Sequence, residues 1–377
     1  MLDPAAFFEN LNKSGIEFFS GVPDSLLKNI CAYITDNSSP GMHTIAANEG
    51  NALSIGLGYH LASNKMPLIY MQNSGLGNII NPLLSLADRD VYSIPMLLMI
   101  GWRGESGVKD EPQHKKQGRI TLDLLQTMGI PYEVITGETN DSQAKEVIEK
   151  LVSKSISASN PCALVVSKGS FRDYKLENDM IYDRPLFREQ AIKIIVSNVD
   201  KNDIVVSTTG VASRELFEHR EEIGQGHEKD FLTVGGMGHA SQIALGIAME
   251  KKYRQVFCLD GDGAFIMHMG GAAISANSQC QNYKHIIFNN SAHDSVGGQP
   301  TVGRAINIEG IAKSLGYQWA KSVSELDDID ASVKILRSIK GPALLEIQVK
   351  KGFRKDLGRP TTTPLQNKEL FMDFLKD

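Results

Sequence analysis

Val256-Phe-Cys-Leu-Asp260-Gly261-Asp262-Gly263-Ala264 and, one helix length later, His285-Ile-Ile-Phe-Asn289-Asn290-Ser-Ala292-His293-Asp-Ser-Val-Gly-Gly-Gln299-Pro-Thr301 decide how this chain folds. An apolar run ends in Asp-Gly-Asp-Gly, a helical run follows, and a second apolar run ends in Asn-Asn. That pattern reads as a βαβ unit with parallel strands. Parallel strands carry ligands at their carboxyl ends. Asp262 and Asn290 both stand at such ends, 28 positions apart. A carboxylate and an amide oxygen are hard donors, suited to a Mg²⁺ ion that shares its shell with phosphate. Gly261 and Gly263 allow close backbone approach, and a helix expected to start near Ala264 offers free N–H groups to an anion. Either half alone is an ordinary turn; the two together at this spacing point to a site.

Outward from this unit the alternation continues in both directions. Strands are expected over 17–20, 43–46, 68–71, 96–100, 132–135 and 163–167, with helices between them at 25–34, 50–62, 77–87, 122–128 and 142–158. Asp3-Pro4 caps a first helix that runs through Asn12. The pattern is doubly wound α/β with parallel sheets. A polar, aperiodic stretch interrupts it, so residues 1–172 form one domain, 173–185 a linker and 186–377 a second domain. In the second half strands are expected over 204–207, 231–234, 256–259, 285–288, 318–320 and 343–349. Helices are expected over 186–197, 212–222, 239–250, 264–278, 308–314, 326–339 and 367–375. The halves are alike in size and architecture, yet no sequence repeat joins them.

Composition narrows the function. The 377 residues suit two domains, and 42% hydrophobic with 22% charged residues is ordinary for a globular protein. A net charge of −5 argues against a general nucleic-acid surface, and no apolar run is long enough for a bilayer. The N-terminus carries no basic region of the signal-peptide kind. Cys31, Cys162, Cys258 and Cys280 have no metal spacing and read as free thiols of a cytoplasmic protein.

Other candidate residues follow strands. Glu49, in Ala-Asn-Glu-Gly-Asn-Ala, stands at the start of a helix rich in Gly and Ala; it is a capping carboxylate or a catalytic one. Thr208, Thr209 and Gly210 form a helix entrance that suits an anion. Met237 is a flexible apolar residue in a glycine-rich turn. His239 is a helix-start residue or a phosphate contact. Asp24, in Gly-Val-Pro-Asp-Ser, is a second catalytic acid or an N-cap. Asn73 and Ser74 face the same crevice and are candidates for cofactor or substrate contact. Residues 102–119 read as a long polar loop, a lid or a solvated stretch, with Arg103, Lys109, His114, Lys115, Lys116 and Arg119. No Gly-x-Gly-x-x-Gly follows a first strand and no Walker sequence is present, which weighs against the alternative of a non-catalytic nucleotide-binding module.

Gly261-Asp262-Gly263 through Asn289-Asn290 resembles the diphosphate and metal motif of thiamine diphosphate enzymes. The resemblance implies Mg²⁺ held by Asp262, Asn290 and the carbonyl of Ala292. It implies diphosphate contacts at Thr208, Thr209, Gly210, Gly263 and Ala264, and Met237 as the wedge that bends the cofactor. Glu49 matches the family's glutamate that hydrogen-bonds N1′ of the aminopyrimidine; a raised pKa from burial would let it share that proton. The resemblance covers nearly the whole chain, pyrimidine-binding half first, without the middle domain that many 2-oxoacid decarboxylases carry. It is similar in this to the phosphonopyruvate and sulfopyruvate decarboxylases, which implies decarboxylation of phosphonopyruvate, with sulfopyruvate as nearest competitor. The histidine pair of many such decarboxylases is reduced here to Gln113-His114. Ser25, Arg103, His114, Lys115, His293 and Gln299 are the candidate substrate contacts. The family also implies a homodimer or larger homo-oligomer, with the two halves meeting across subunits.

Overall fold

The computed structural model describes residues 1–178 and 184–376. The chain forms two compact units, Met1–Asp179 and Met180–Asp377. Unit 1 runs α1 (Pro4–Lys13), β1 (Phe18–Gly21), α2 (Lys28–Asn37), β2 (His43–Ile45), α3 (Glu49–Ser63), β3 (Pro67–Gln72), α4 (Leu76–Pro82), β4 (Leu97–Gly101), α5 (Pro112–Thr127), β5 (Tyr132–Ile135), α6 (Asp141–Ala158) and β6 (Cys162–Val166). Its sheet order is β2-β1-β3-β4-β6-β5, and all its ladders are parallel. Successive residues of a strand serve opposite faces. Leu68 and Tyr70 pack under α1, α2 and α6, while Ile69 and Met71 pack under α3, α4 and α5. Burial on both faces is why these strands read as continuous apolar runs.

Unit 2 runs α7 (Arg188–Asn198), β7 (Ile204–Ser207), α8 (Val211–Glu222), β8 (Asp230–Leu232), α9 (Ala240–Glu250), β9 (Val256–Gly261), α10 (Asp262–Met267), α11 (Gly270–Asn277), β10 (Tyr283–Asn289), α12 (Ile308–Leu315), β11 (Trp319–Val323), α13 (Leu326–Ser338), β12 (Ala343–Gln348) and α14 (Pro364–Phe374). The sheet order is β11-β12-β10-β9-β7-β8, again parallel throughout. Counted from the start of each unit, both sheets follow the order 2-1-3-4-6-5. The duplication that no sequence repeat betrays is therefore present in the topology. Edge strand β8 is covered by α14: the Asn367 side chain donates to Asp230 O (2.8 Å) and accepts from Leu232 N (3.1 Å), as a paired strand would.

Three expectations are corrected. The loop over 102–119 ends at Pro112, where α5 begins, well before the expected 122. Proline at the first helical turn starts the helix, and its buried seam is Gly118, Thr121 and Leu125, two of which carry no apolar signal. The helix expected over 264–278 is two, α10 and α11, broken at His268 (φ −132°, ψ 45°). Gly270 and Gly271 lower helix propensity there, and Gln242 Nε2 takes the Gly271 carbonyl (3.0 Å). The helix expected over 25–34 begins at Lys28, because residues 25–27 form a turn. Of the stretch read as a linker, 179–183 lies outside the described residues. Its first part is tied to unit 1, where Tyr174 Oη and the backbone N–H groups of Glu177 and Asn178 all donate to Asp36.

Candidate active site

In unit 2 the carboxyl ends of β9 and β10 bring the motif together. Phe288 pairs with Gly261 in the parallel register, so Asp262 and Asn289-Asn290 leave adjacent strands side by side. Asp262 is the first residue of α10 and only 2% exposed. Burial pushes its carboxyl up to about 7, against hydrogen bonds from Thr301 Oγ1 and the backbone of Asn290 and Gly263. Among the described residues no cationic side chain pairs with it, so the buried carboxylate lacks a counter-charge. Gly303 seals its other side: a Cβ there would stand 2.5 Å from Asp262 Oδ2.

The two asparagines differ. Asn289 is structural: its Nδ2 donates to Gly303 O (2.8 Å) and Glu346 Oε1 (2.7 Å), and its Oδ1 accepts from Ser291 N (3.1 Å). Asn290 donates to Asp294 Oδ2 (2.6 Å), and among the described residues its Oδ1 accepts only a 3.1 Å bond from Ala292 N. Asp262, Asn290 and the Ala292 carbonyl, the set the resemblance assigns to the metal, offer only oxygen donors, one of them a buried carboxylate with no cationic partner among the described residues. This set fits Mg²⁺.

Around it stand the other unit 2 candidates. A Cβ on Gly263 would meet Met237 Cε at 3.2 Å and His293 Cε1 at 3.2 Å, so Met237 and His293 flank the glycine turn. Burial lowers His293 to about 4, which keeps the ring neutral. His239 is exposed, precedes α9, and stacks on His268 with centroids 4.5 Å apart. Gly210 has φ +98°, a conformation that favours glycine. It opens α8 and faces Ser295, while Thr208 O accepts from Ser213 Oγ (2.6 Å). Gln299 is fully buried and its carbonyl accepts from His293 N (2.9 Å).

In unit 1, Glu49 opens α3 and is 6% exposed. Asn78 Nδ2 donates to its Oε2 (2.6 Å), and a Cβ on Gly75 would stand 2.6 Å from its Oε1. The carboxyl is therefore held between a bare glycine and one amide. The small residues of α3 work as their pattern suggested: a Cβ on Gly56 would stand 2.5 Å from Ile69 Cδ1, so the helix lies close on β3.

Asp24 is fully buried and does not cap α2. Its Oδ2 accepts from Leu26 N (2.9 Å) and Leu27 N (3.3 Å), while its Oδ1 has no partner among the described residues. A Cβ on Gly101 would clash with it, so β4 must end in glycine. Burial raises Asp24 to about 6, against the backbone bonds and the nearby Arg103. The folded pKa exceeds the unfolded one, so this group favours the fold below about pH 4, and that contribution is lost as pH rises through about 6. The difference is at most about 3 kcal/mol. Urea denaturation at pH 5 and pH 8 checks this: the loss of stability on going to pH 8 should be smaller in Asp24→Asn than in the unchanged protein. Equal losses would remove Asp24 as the cause.

Arg103 is committed elsewhere than expected. Nε donates to Asp110 Oδ2 (2.8 Å), Nη2 to Asp110 Oδ1 (2.5 Å) and Nη1 to Ser25 Oγ (2.8 Å). Asp110 also accepts from Gly104 N and Glu111 N (both 2.8 Å). Burial would raise Asp110, but these donors outweigh it and hold the carboxyl well below the carboxylate range. Asn73, buried, donates to Arg103 O (2.8 Å) and Thr121 Oγ1 (2.9 Å) and accepts from Arg103 N (3.2 Å), so it pins this turn. Ser74 accepts from Gln72 Nε2 (2.7 Å). His114, half-buried, and exposed Lys115 lie on the first turn of α5. Asp110, Asn78, Gly75 and Asp294 are not singled out by the sequence: Asn78 and Gly75 meet Glu49 from more than 25 positions away, and Asp110 and Asp294, though near Arg103 and Asn290 in the chain, carry no motif of their own.

The description "Thiamine pyrophosphate enzyme, N-terminal TPP binding domain" matches residues 4–126, and "Thiamine pyrophosphate enzyme, C-terminal TPP binding domain" matches 219–347. Together they take in about two thirds of the chain, which belongs to the thiamine pyrophosphate (thiamine diphosphate) enzymes. A phosphonopyruvate decarboxylase of Streptomyces viridochromogenes is 29% identical over 100% of this chain and 95% of its own. A sulfopyruvate decarboxylase of Methanosarcina acetivorans is 25% identical over 91% of this chain and 90% of its own. The beta subunit of the sulfopyruvate decarboxylase of Methanocaldococcus jannaschii is 38% identical over 39% of this chain and 75% of its own. This chain is accordingly a carboxy-lyase, a thiamine diphosphate-dependent 2-oxoacid decarboxylase. The nucleotide-binding alternative gives way.

Proposed function

We propose that this enzyme converts 3-phosphonopyruvate to phosphonoacetaldehyde and CO₂, using thiamine diphosphate and Mg²⁺. The observation that carries the cofactor half is the buried Asp262 carboxylate, which has no cationic partner among the described residues, beside Asn290 and Ala292 in the turn after β10. Asp262, Asn290 and Ala292 O hold the cation, and Thr208 to Gly210 with Gly263-Ala264 receive the diphosphate. Thiamine diphosphate supplies the nucleophilic carbon and the electron sink for CO₂ release. Glu49 keeps a proton at N1′, oriented by Asn78. Met237 supports the ring system from unit 2. Asp24, whose pKa of about 6 lets it hold or release a proton near neutrality, is the second acid.

The substrate assignment rests on the full-length resemblance to phosphonopyruvate decarboxylases and on the charge the substrate brings. A phosphonate and a carboxylate on three carbons require local donors, because the net charge of the chain is −5. Arg103 is neutralised by Asp110 and fixes Ser25, so it acts as a strut. Ser25, His114, Lys115, His293 and Gln299 remain as the contacts. Sulfopyruvate is the second reading, favoured by the sulfopyruvate decarboxylase relatives. An aldehyde-release assay on phosphonopyruvate, sulfopyruvate and pyruvate decides between them. Phosphonopyruvate should show the highest kcat/KM; a higher value for either other acid overturns the assignment and leaves the cofactor chemistry standing.

We also propose a homo-oligomer as the working form and, from four free cysteines, a reducing cytoplasmic setting. Mixing inactive Glu49→Gln with inactive Asp262→Ala protein should restore activity, since each supplies the unit the other lacks.

A further inference from the structure

An asparagine side chain has nearly the same shape in both orientations, but one side accepts and the other donates. If Asn290 is a metal ligand, as proposed above, something must keep its oxygen rather than its NH₂ towards the cation. Asp294 supplies that constraint on the NH₂ side, where the contact is the shorter one, and the 3.1 Å bond from Ala292 N to Oδ1 agrees with it from the other side. Its Oδ2 lies 2.6 Å from Asn290 Nδ2, and a carboxylate can only accept, so the NH₂ must face Asp294 and the oxygen must face away.

Asp294 is itself anchored. Its Oδ2 also accepts from Gly352 N (3.0 Å), and Arg188 Nη1 stands 3.6 Å from it. Arg188 in turn donates to Glu215 through Nε (2.8 Å) and Nη2 (3.2 Å). Arg188 is 7% exposed and Glu215 1% exposed. Buried charges paired and hydrogen-bonded in this way hold their geometry firmly, and removing one strands the rest. We infer that Asp294, seated on the Arg188–Glu215 pair and on Gly352, is the positioning residue that fixes which side of the Asn290 amide the metal sees. The network ties Asn290, in the turn after β10, to α7, α8 and the segment after β12, none of which carries a proposed metal ligand.

The test reads binding, not turnover. The Mg²⁺ concentration that half-saturates the thermal stabilisation of the thiamine diphosphate complex is measured for each variant, with unliganded melting and circular dichroism as fold controls. Asp294→Ala should raise it roughly 10- to 100-fold, the usual cost of losing a partner that orients a ligand. Asp294→Asn, which keeps an oxygen for Asn290, should raise it less, and Asp294→Ser serves if the alanine variant does not fold. Adding Asn290→Asp to Asp294→Ala should restore the response, because both outer atoms of the introduced carboxylate are oxygens and orientation ceases to matter. A merely structural role of Asp294 would not be rescued this way, so failure of rescue overturns the inference. It is overturned alone if Asn290→Ala loses the Mg²⁺ response while Asp294→Ala keeps it. It falls together with the Asn290 metal reading if Asn290→Ala binds Mg²⁺ as the unchanged protein does.

Discussion

Asp262→Ala is expected to lose Mg²⁺-dependent thiamine diphosphate binding by more than roughly a hundredfold. The bound is set by comparison: losing an orienting partner of a ligand already costs about 10- to 100-fold, and Asp262 is the charged ligand itself. The side chain is buried, accepts from Thr301 and has no cationic partner among the described residues. A divalent ion supplies that charge and bridges to the diphosphate. Alanine removes the only anionic oxygen of the proposed donor set, leaving Asn290 and the Ala292 carbonyl, both neutral. The fold should survive, since alanine relieves a buried carboxylate and leaves the Gly303 turn bonded through Thr301 Oγ1 to Gly303 N (3.1 Å). Calorimetry with and without Mg²⁺ measures the effect. Unchanged affinity in a folded variant sinks the metal assignment.

Glu49→Gln is expected to keep the fold and most cofactor affinity while slowing turnover by roughly a hundred- to ten-thousandfold, the range a positioned acid or base contributes. Asn78 Nδ2 donates to Glu49 Oε2, and that donor will select the oxygen of the introduced amide. The NH₂ group is then left for N1′. It can donate a hydrogen bond but cannot give up or take back a proton. Exchange of the cofactor's C2 proton for deuterium isolates this step from substrate binding. Exchange at the unchanged rate would move the relay to another group. Asn78→Ala, which frees the carboxyl without removing it, should show a smaller loss in the same measurement.

Much of this protein is legible without its structure because most of its strands, the edge strands β2, β5 and β11 apart, are buried on both faces. Such strands appear as short apolar runs ending at polar or glycine-rich turns, so all twelve strands follow from local pattern, and Glu49, Asp262 and Asn290 stand out as candidates from the motifs beside them. The small residues of α3 likewise announced close packing, which Gly56 against Ile69 bears out.

What local pattern leaves open is everything that depends on residues far apart in the chain. The shared strand order of the two sheets is a matter of non-local pairing, and no residue type encodes it. Arg103 reads as a free cation until Asp110 and Ser25 close on it, and the seam of α5 hides in Gly118 and Thr121. Asn289 and Asn290 are identical neighbours in sequence. Only the folded chain divides them, because Glu346 and Gly303 claim one amide while Asp294 turns the other. An amide has no preferred role of its own; the hydrogen-bond partners that tertiary structure brings to it decide whether it supports the site or belongs to it.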